Sequence, residues 1–310
     1  MSAQDVESLS LKELKSLISS AGLSFADCID KDDLRTRAKE AQTRLASAPP
    51  APSPGGGSSK SEVQRRMAGY DCIVKGPPDL LMIVLHGLGA TNTDLAGIVP
   101  VFKSAEPALA SARIVEVYPQ APTVPMLGTA WWKFNVMSYM QAVMTRDDTL
   151  MASIIRQPPE GIGQCRERMT QLLAESRALA GGAEATALPC KKVLLAGFSL
   201  GAITALDIAI TRPQGEDVAG VLAMNGAPIC VEEWAKGLAV HRGLRVYLSA
   251  GQQDTTLPSE AMGWVKQLLD ANGAKAEFRI HSGGHEVGPP DAVRGIAAFV
   301  RQMYEAAVKD

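Results

Sequence analysis

The stretch Lys192-Val-Leu-Leu-Ala-Gly-Phe-Ser-Leu-Gly-Ala-Ile-Thr-Ala-Leu-Asp-Ile-Ala-Ile210 carries the strongest structural signal in this chain of 310 residues. Its first apolar run is typical of a buried strand, and the run after Gly201 is typical of a helix. Between them lies a G-x-S-x-G turn, in which the glycines allow the strained backbone and the close packing that such a serine needs. The pattern predicts that Ser199 lies at the carboxyl edge of a sheet.

Other apolar runs predict the remaining strands of that sheet. They are short, nearly continuous hydrophobic segments separated by helical stretches such as 165–180, as expected for strands covered on both faces. Besides 192–196, the runs are 71–74, 80–85, 113–118, 218–224, 244–250 and 276–281. This alternation predicts an α/β fold with a mostly parallel central sheet flanked by helices.

An acid and a histidine follow Ser199 in the chain order that this type of site requires. Asp254 lies in the loop after the run 244–250, where it can orient a histidine. His285, in the small-residue loop after 276–281, is the predicted general base. His281 is the alternative base, but it lies within the strand, so we expect it to be structural.

A serine nucleophile also needs donors for the negative charge that develops on the substrate oxygen. One predicted donor is the backbone N–H of Leu200, which follows the serine. The other is the N–H of Leu88, in the loop directly after the run 80–85. We expect the neighbouring His86 to be structural, because the glycines beside it mark a tight loop.

Four sequence blocks resemble, in order, the carboxylesterase/phospholipase family of α/β-hydrolases, which includes acyl-protein thioesterases and lysophospholipases. The blocks are Leu85-His-Gly-Leu-Gly89, Tyr118-Pro-Gln-Ala-Pro122 with Ala130-Trp-Trp132, Gly197-Phe-Ser-Leu-Gly201, and Gly251-Gln-Gln-Asp254 with Gly284-His-Glu-Val287. The resemblance extends over about 68–305 and implies an α/β-hydrolase fold and an acyl ester or thioester substrate, such as an acylated protein or a lysophospholipid. The family usually has Gln in place of Leu200, Gly in place of Ala202, and Trp-Phe-Asp where this chain has Trp131-Trp132-Lys133.

The segment between Trp132 and Gly161 is longer than that resemblance implies and is rich in methionine. Flexible thioether side chains can line an irregular acyl groove. The predicted substrate-binding residues are therefore Trp131, Trp132, Met137, Met140 and Met144. The alternative is that the segment is a helix that packs on the domain.

The sequence predicts a small helical hairpin over 1–45, a flexible linker over 46–64 and a catalytic domain over 65–310. Ser10 and Glu13 form a capping box, and a second helix begins near Asp30. Pro, Gly and Ser dominate the linker. The hairpin resembles the SAP-like helical modules at the C-terminus of the ARMET growth-factor family. Its seven Lys/Arg and eight Asp/Glu argue against nucleic acid and favour a protein partner.

Composition excludes several classes of protein. A chain that is 46% hydrophobic with a net charge of -2 is globular and shows no electrostatic signature of nucleic-acid binding. Its five cysteines contain no C-x-x-C pair, which argues against a disulfide framework and a zinc site. The sequence has neither a signal-type N-terminus nor an apolar run of membrane-spanning length, so we expect a cytoplasmic protein. The sequence is also compatible with a transient contact between the protein and a membrane surface.

Together, these patterns predict a serine hydrolase that cleaves acyl esters or thioesters through an acyl-enzyme on Ser199, without a metal or organic cofactor. One alternative is a short-chain carboxylesterase without lipid preference. A profile of activity against acyl chain length would distinguish it from a hydrolase of lipid-type substrates. Another is a non-catalytic binding protein of α/β-hydrolase fold, with the N-terminal module as its working part. The order of Ser199, Asp254 and His285 argues against the second alternative.

Overall fold

The computed structural model describes residues 31–47, 63–75, 79–181 and 187–309, together with the single positions Val6, Leu14 and Leu17. The chain divides into two compact units, Met1–Ser59 and Lys60–Asp310. Most of the predicted first helix and most of the predicted linker lie outside the described residues. The domain boundaries and the SAP-like resemblance therefore stay predictions.

In the first unit, helix α1 (Lys31–Ser47) agrees with the second predicted helix. Leu34 and Ala38 are four residues apart, which places them on one helix face. Both are buried in a small apolar core with Val6 and Leu14, and Leu17 packs against this core. The described residues of the first unit thus have an apolar core of their own.

An eight-stranded sheet forms the centre of the second unit, in the order β1-β2-β4-β3-β7-β8-β9-β10. Only the pairs β1/β2 and β2/β4 of this sheet are antiparallel. The strands β5 and β6 form a separate two-stranded ribbon. In chain order the strands are β1 (Val63–Met67), β2 (Tyr70–Lys75), β3 (Leu80–Leu85), β4 (Ile114–Pro119), β5 (Thr123–Val124), β6 (Gly128–Thr129), β7 (Val193–Phe198), β8 (Gly220–Met224), β9 (Arg245–Gly251) and β10 (Lys275–His281).

Helices cover the sheet, and a separate apolar core lies on each face. Strand β3 shows why its sequence is continuously apolar: Leu81, Ile83 and Leu85 belong to one core, and the alternate residues belong to the other. The first core also takes residues from α3 to α8, and the second from α2 and α9. The helices are α2 (Ile98–Ala105), α3 (Val136–Thr145), α4 (Asp148–Arg156), α5 (Ile162–Ala180), α6 (Leu200–Thr211), α7 (Val231–Val240), α8 (Ser259–Ala271) and α9 (Pro290–Lys309).

The predicted α/β-hydrolase fold with a mostly parallel central sheet is confirmed. Strand β1 was not predicted, because its sequence Val-Gln-Arg-Arg-Met offers only two apolar residues, as an edge strand can. The four cysteines in the described part of the chain are buried and free. None of the helices described combines the length and the apolar character needed to cross a membrane.

Candidate active site

Ser199 lies in the turn between β7 and α6 and has a strained backbone with a positive φ of 55° and a ψ of -122°. Its N–H donates to the carbonyl of Met224 at the end of β8, at 2.8 Å. The flanking glycines are sterically required: a Cβ on Gly201 would collide with the carbonyl of Leu85, and one on Gly197 with the carbonyl of Gly201. The turn therefore holds Ser199 at the carboxyl edge of the sheet.

His285 and Asp254 lie beside Ser199 at this edge. His285 Nε2 is 2.9 Å from Ser199 Oγ, and His285 Nδ1 is 2.6 Å from Asp254 Oδ2. The Asp254 side chain is fully buried, whereas that of His285 is 22% exposed. The structure thus brings together the three residues selected from the sequence. In this arrangement the carboxylate accepts from Nδ1–H, and Nε2 is left to take the hydroxyl proton.

Asp254 is held in its ionised form although it is buried. Burial opposes ionisation, but hydrogen bonds from His285, Asn225 and the Leu257 N–H outweigh it and lower the pKa of Asp254. Asn225 Nδ2 donates to Oδ2 at 2.7 Å, while the N–H groups of Thr256 and Leu257 donate to Oδ1 at 2.8 and 2.9 Å. Asp254 therefore supplies a fixed negative charge next to the imidazole.

The other two histidines near the sheet edge contact backbone groups. His281, 5% exposed at the end of β10, accepts from the Gly283 N–H through Nδ1 at 3.2 Å. His86 is 1% exposed, with Nδ1 2.8 Å from the carbonyl of Gly87 and Nε2 accepting from the Ala121 N–H at 3.1 Å. Burial lowers the pKa of His86, which favours the neutral ring that these contacts need. These surroundings agree with the structural roles expected from the sequence.

The two predicted oxyanion donors lie on backbone that adjoins Ser199. Leu200 is the first residue of α6, a position where an N–H has no acceptor within its own helix. The loop after β3 passes close to the serine, since a Cβ on Gly87 would lie 3.3 Å from the Cβ of Ser199. The N–H of Gly89, the residue after Leu88, donates to the carbonyl of Thr129 on β6 at 2.8 Å and so fixes the loop after Leu88. Both amides are thus placed where they could serve an oxyanion.

Trp131 and Trp132 are buried side chains whose indole N–H groups brace the site. Trp131 Nε1 donates to the carbonyl of His86 at 2.8 Å, which supports the loop that carries Leu88. Trp132 Nε1 donates to Thr204 Oγ1 on α6 at 3.0 Å, which connects this segment to the helix that follows Ser199. Trp132 also contributes to the wall of the cavity beside Leu88.

That cavity has a volume of about 800 Å³, which is within the range of small-molecule sites. Its wall combines the loop after β3, the β5–β6 turn, the start of α3 and one face of α4. The apolar lining residues are Leu88, Met126, Leu127, Trp132, Phe134, Val136, Met137, Leu150, Ile154 and Ile229. We name this space the Leu88 cavity. The polar lining residues are Lys133, Asn135, Ser138, Ser153, Gln157 and Glu160, so the cavity has an apolar part and a polar part.

Of the three predicted methionines, Met137 lines the Leu88 cavity, whereas Met140 and Met144 do not. The spacing of three and four residues puts all three on one face of α3, and that face is turned to solvent. Met137 is 77% and Met144 79% exposed, while Tyr139 and Ala142 on the opposite face are buried. Met144 thus lies on the exposed surface of α3 and Met140 at a partly buried position, and their predicted role in substrate binding stays a prediction.

The sequence analysis did not identify Asn225, which contacts the acid of the site, or Ile229, which lines the Leu88 cavity. A signal was present for Asn225. It is a polar residue directly after a predicted apolar strand, at the same sheet edge as the loops that carry Ser199 and Asp254.

The sheet order and the clustered Ser199, His285 and Asp254 define this chain as an α/β-hydrolase-fold protein. The sequence profile of the phospholipase/carboxylesterase family matches residues 73–304, and the chain belongs to that family. Acyl-protein thioesterase 1 of Mycosarcoma maydis is 23% identical over 235 residues, which are 74% of this chain and 93% of that protein.

Two solved structures illustrate the shared fold. SOBER1 of Arabidopsis thaliana matches with a TM-score of 0.52 and 18% identity, over 72% of this chain and 98% of that one. Acyl-protein thioesterase 2 of Zea mays matches with a TM-score of 0.52 and 18% identity, over 75% of this chain and 98% of that one. At these identities the likeness concerns the fold.

Proposed function

We propose that this protein is a serine hydrolase that cleaves carboxylic ester or thioester bonds of acyl groups, as acyl-protein thioesterases and lysophospholipases do. One observation carries the proposal: the hydrogen-bonded chain from Ser199 through His285 to Asp254. The loop that packs beside Ser199 also contributes Leu88 to the wall of the Leu88 cavity. The family membership and the thioesterase relative point to the same chemistry.

Acylation begins when Ser199 Oγ attacks the carbonyl carbon and its proton passes to His285 Nε2. The imidazolium that forms is stabilised by the ionised Asp254, which holds the Nδ1–H. The negative charge on the substrate oxygen is bound by the N–H groups of Leu88 and Leu200. When the tetrahedral intermediate collapses, His285 returns the proton to the leaving alcohol or thiol, and the acyl group stays on Ser199.

Deacylation repeats these steps with water as the nucleophile. His285 removes a proton from the water as it attacks the acyl carbon, and the same two N–H groups bind the oxyanion again. The second intermediate expels Ser199 Oγ, which recovers the proton from His285. The products are the free acid and the regenerated enzyme, so this chemistry requires no metal or organic cofactor.

The walls of the Leu88 cavity favour acyl groups with a hydrocarbon chain over acetyl groups. The Leu88 side chain lines the cavity, while its N–H is one of the proposed oxyanion donors. An acyl chain that extends from the Ser199 ester into this space would be removed from water. This is the reason for preferring the lipid-type substrate over the short-chain carboxylesterase alternative.

Exposed methionines support a transient contact with a membrane surface as part of the proposal. Met126, in the β5–β6 turn, is fully exposed, and it lines the Leu88 cavity together with the exposed Met137. Apolar side chains that stand in solvent around such a cavity favour an encounter with lipid-bound substrates. A cytoplasmic location and a protein partner for residues 1–45 complete the proposal.

A kinetic panel of acyl esters, acyl thioesters and lysophospholipids tests the proposal with the wild type and Ser199→Ala. We expect turnover of long-chain substrates by the wild type and none by the variant. A wild type without turnover on any of them would contradict the proposal and favour the binding protein. A deletion of residues 1–60 that abolishes turnover of a small soluble ester while the domain stays folded would show that the N-terminal unit belongs to the active site.

A further inference from the structure

Asn225 follows β8 directly and has a left-handed backbone with φ 53°, a conformation that Asn tolerates better than most residues. Its side chain is fully buried. Its backbone N–H donates to the carbonyl of Ser249 on β9 at 2.8 Å. The residue is thus fixed between the strand next to the nucleophile and the strand that leads to Asp254.

The side-chain amide of Asn225 joins the acid to the loop that carries the base. Nδ2 is 2.7 Å from Asp254 Oδ2 and 3.3 Å from the carbonyl of Gly284. Asp254 Oδ2 is also the oxygen that accepts from His285 Nδ1 at 2.6 Å, and Gly284 directly precedes His285. Because a carboxylate only accepts, Nδ2 must be the amide atom that faces Asp254.

We propose that Asn225 is a positioning residue for the reaction proposed above: its amide sets the Asp254 carboxylate and the Gly284–His285 backbone at the separation that directs Nε2 to Ser199. The inference rests on the proposed function. Without the amide, the Thr256 and Leu257 N–H groups still hold Oδ1, but the imidazole is the only side chain among the described residues left on Oδ2, and the link between the carboxylate and the Gly284 carbonyl is lost. A small rotation of Asp254 displaces the imidazole from the serine, which lowers kcat.

Several other ionisable groups surround this contact. Burial raises the pKa of Tyr139, and the charges of Asp254 and Glu260 raise it further. The side chains of Glu286 and His281 lie close to Gly283, a residue of the loop that leads to His285. Since all of them are retained in the variants below, a change confined to the Asn225 variants reports on the Asn225 amide.

Asn225→Ala and Asn225→Asp test this role, with Asn272→Ala as a matched control. The control removes a side-chain amide that donates to the carbonyl of Leu268 at 2.8 Å, at the end of α8. Turnover of a small soluble acyl ester is measured per active site, titrated with a fluorophosphonate. For Asn225→Ala we expect kcat to fall about 10-fold to 100-fold with KM within about twofold, and no change in the control.

Asn225→Asp keeps the shape and replaces the amide with a group that titrates. When protonated, the introduced carboxyl can donate to Asp254 Oδ2, but when ionised it cannot, and two adjacent carboxylates repel each other. The ratio of its kcat to that of the wild type should therefore fall as pH rises. Because Asn225→Asp keeps the shape of the side chain, it still tests the positioning role if Asn225→Ala does not fold.

A spectroscopic measurement separates this inference from the proposed function. The proton in the short His285 Nδ1–H···Asp254 bond should give a downfield NMR signal in the wild type, whether or not any substrate is turned over. We expect that signal to shift or disappear in Asn225→Ala and to persist in Asn272→Ala. A signal and a kcat equal to those of the wild type in Asn225→Ala, with a pH-independent ratio for Asn225→Asp, would overturn the role. A wild type with the signal but without turnover would instead overturn the proposed function.

Discussion

Filling the Leu88 cavity should shorten the acyl chain that the enzyme prefers. Ser153 lies on the face of α4 that lines this cavity, and Ala152 lies on the face that lines a different cavity of about 710 Å³ beside α8. Ser153→Phe therefore places a ring in the acyl space, while Ala152→Phe places the same ring on the other side of the same helix. The two variants form a matched pair.

The expected size of the effect follows from hydrocarbon burial. Each acyl methylene removed from water contributes about 0.8 kcal/mol, which is close to fourfold in kcat/KM. If the new ring excludes three methylenes, the loss on long chains is about 2.4 kcal/mol, or about 60-fold in kcat/KM. Acetyl esters, whose acyl group ends near Ser199, should be hydrolysed as by the wild type.

The assay is kcat/KM for a series of p-nitrophenyl esters from acetate to palmitate, below the concentrations at which they form micelles. We expect a steep rise with chain length for the wild type and for Ala152→Phe, and an early plateau for Ser153→Phe. A flat profile in the wild type, or the same early plateau in both variants, would refute the assignment of the Leu88 cavity to the acyl chain.

Three further predictions concern the acid, the core and the surface. Asp254→Asn should lower kcat by about two to four orders of magnitude, because it removes the charge that stabilises the imidazolium, and His285→Ala should be at least as damaging, whereas His281→Ala should retain most activity; a larger loss in His281→Ala than in His285→Ala in steady-state kinetics would contradict the choice of base. Asp207→Ala should lower the free energy of unfolding by about 1–3 kcal/mol in a urea titration, because the buried Asp207 accepts two contacts of 2.8 Å from the half-buried Arg166 and one of 2.9 Å from the buried Trp234 indole, while Arg166 keeps Glu233; a loss below about 0.5 kcal/mol would show that these contacts contribute little. Replacing Met126 and Met144 together with Ser should weaken co-sedimentation with phosphatidylcholine vesicles and leave turnover of a soluble acetyl ester unchanged; equal binding of both proteins would argue against a membrane contact through these side chains.

Much of the sheet could be predicted from the sequence because a strand buried on both faces is apolar at every position. The runs 80–85 and 244–250 illustrate this, since they match β3 and include most of β9, whose residues are almost all buried. Loops after parallel strands meet at one edge, so the order of Ser199, Asp254 and His285 predicted their proximity. Strand β1 escaped prediction, because an edge strand needs few apolar residues.

The direction of the methionine face of α3 could not be read from the sequence, because both faces of this helix are apolar. Val136, Tyr139 and Ala142 compete with the methionines for the inner side, and Tyr139 and Ala142 are the residues that became buried. The contact between Asn225 and Asp254 spans 29 positions in the chain and exists only once β8 and β9 have paired. The position of Asn225 after an apolar strand is visible in the sequence, but its partner is not.

Covalent labelling with a fluorophosphonate, followed by peptide mass spectrometry, tests the central claim most directly. The proposed mechanism makes Ser199 Oγ a nucleophile activated by His285 at 2.9 Å, so the reagent should phosphonylate Ser199 stoichiometrically in the wild type. Ser199→Ala should take up no reagent, and His285→Ala should react far more slowly. Labelling that persists in Ser199→Ala, or a wild type whose Ser199 peptide remains unmodified, would contradict the account.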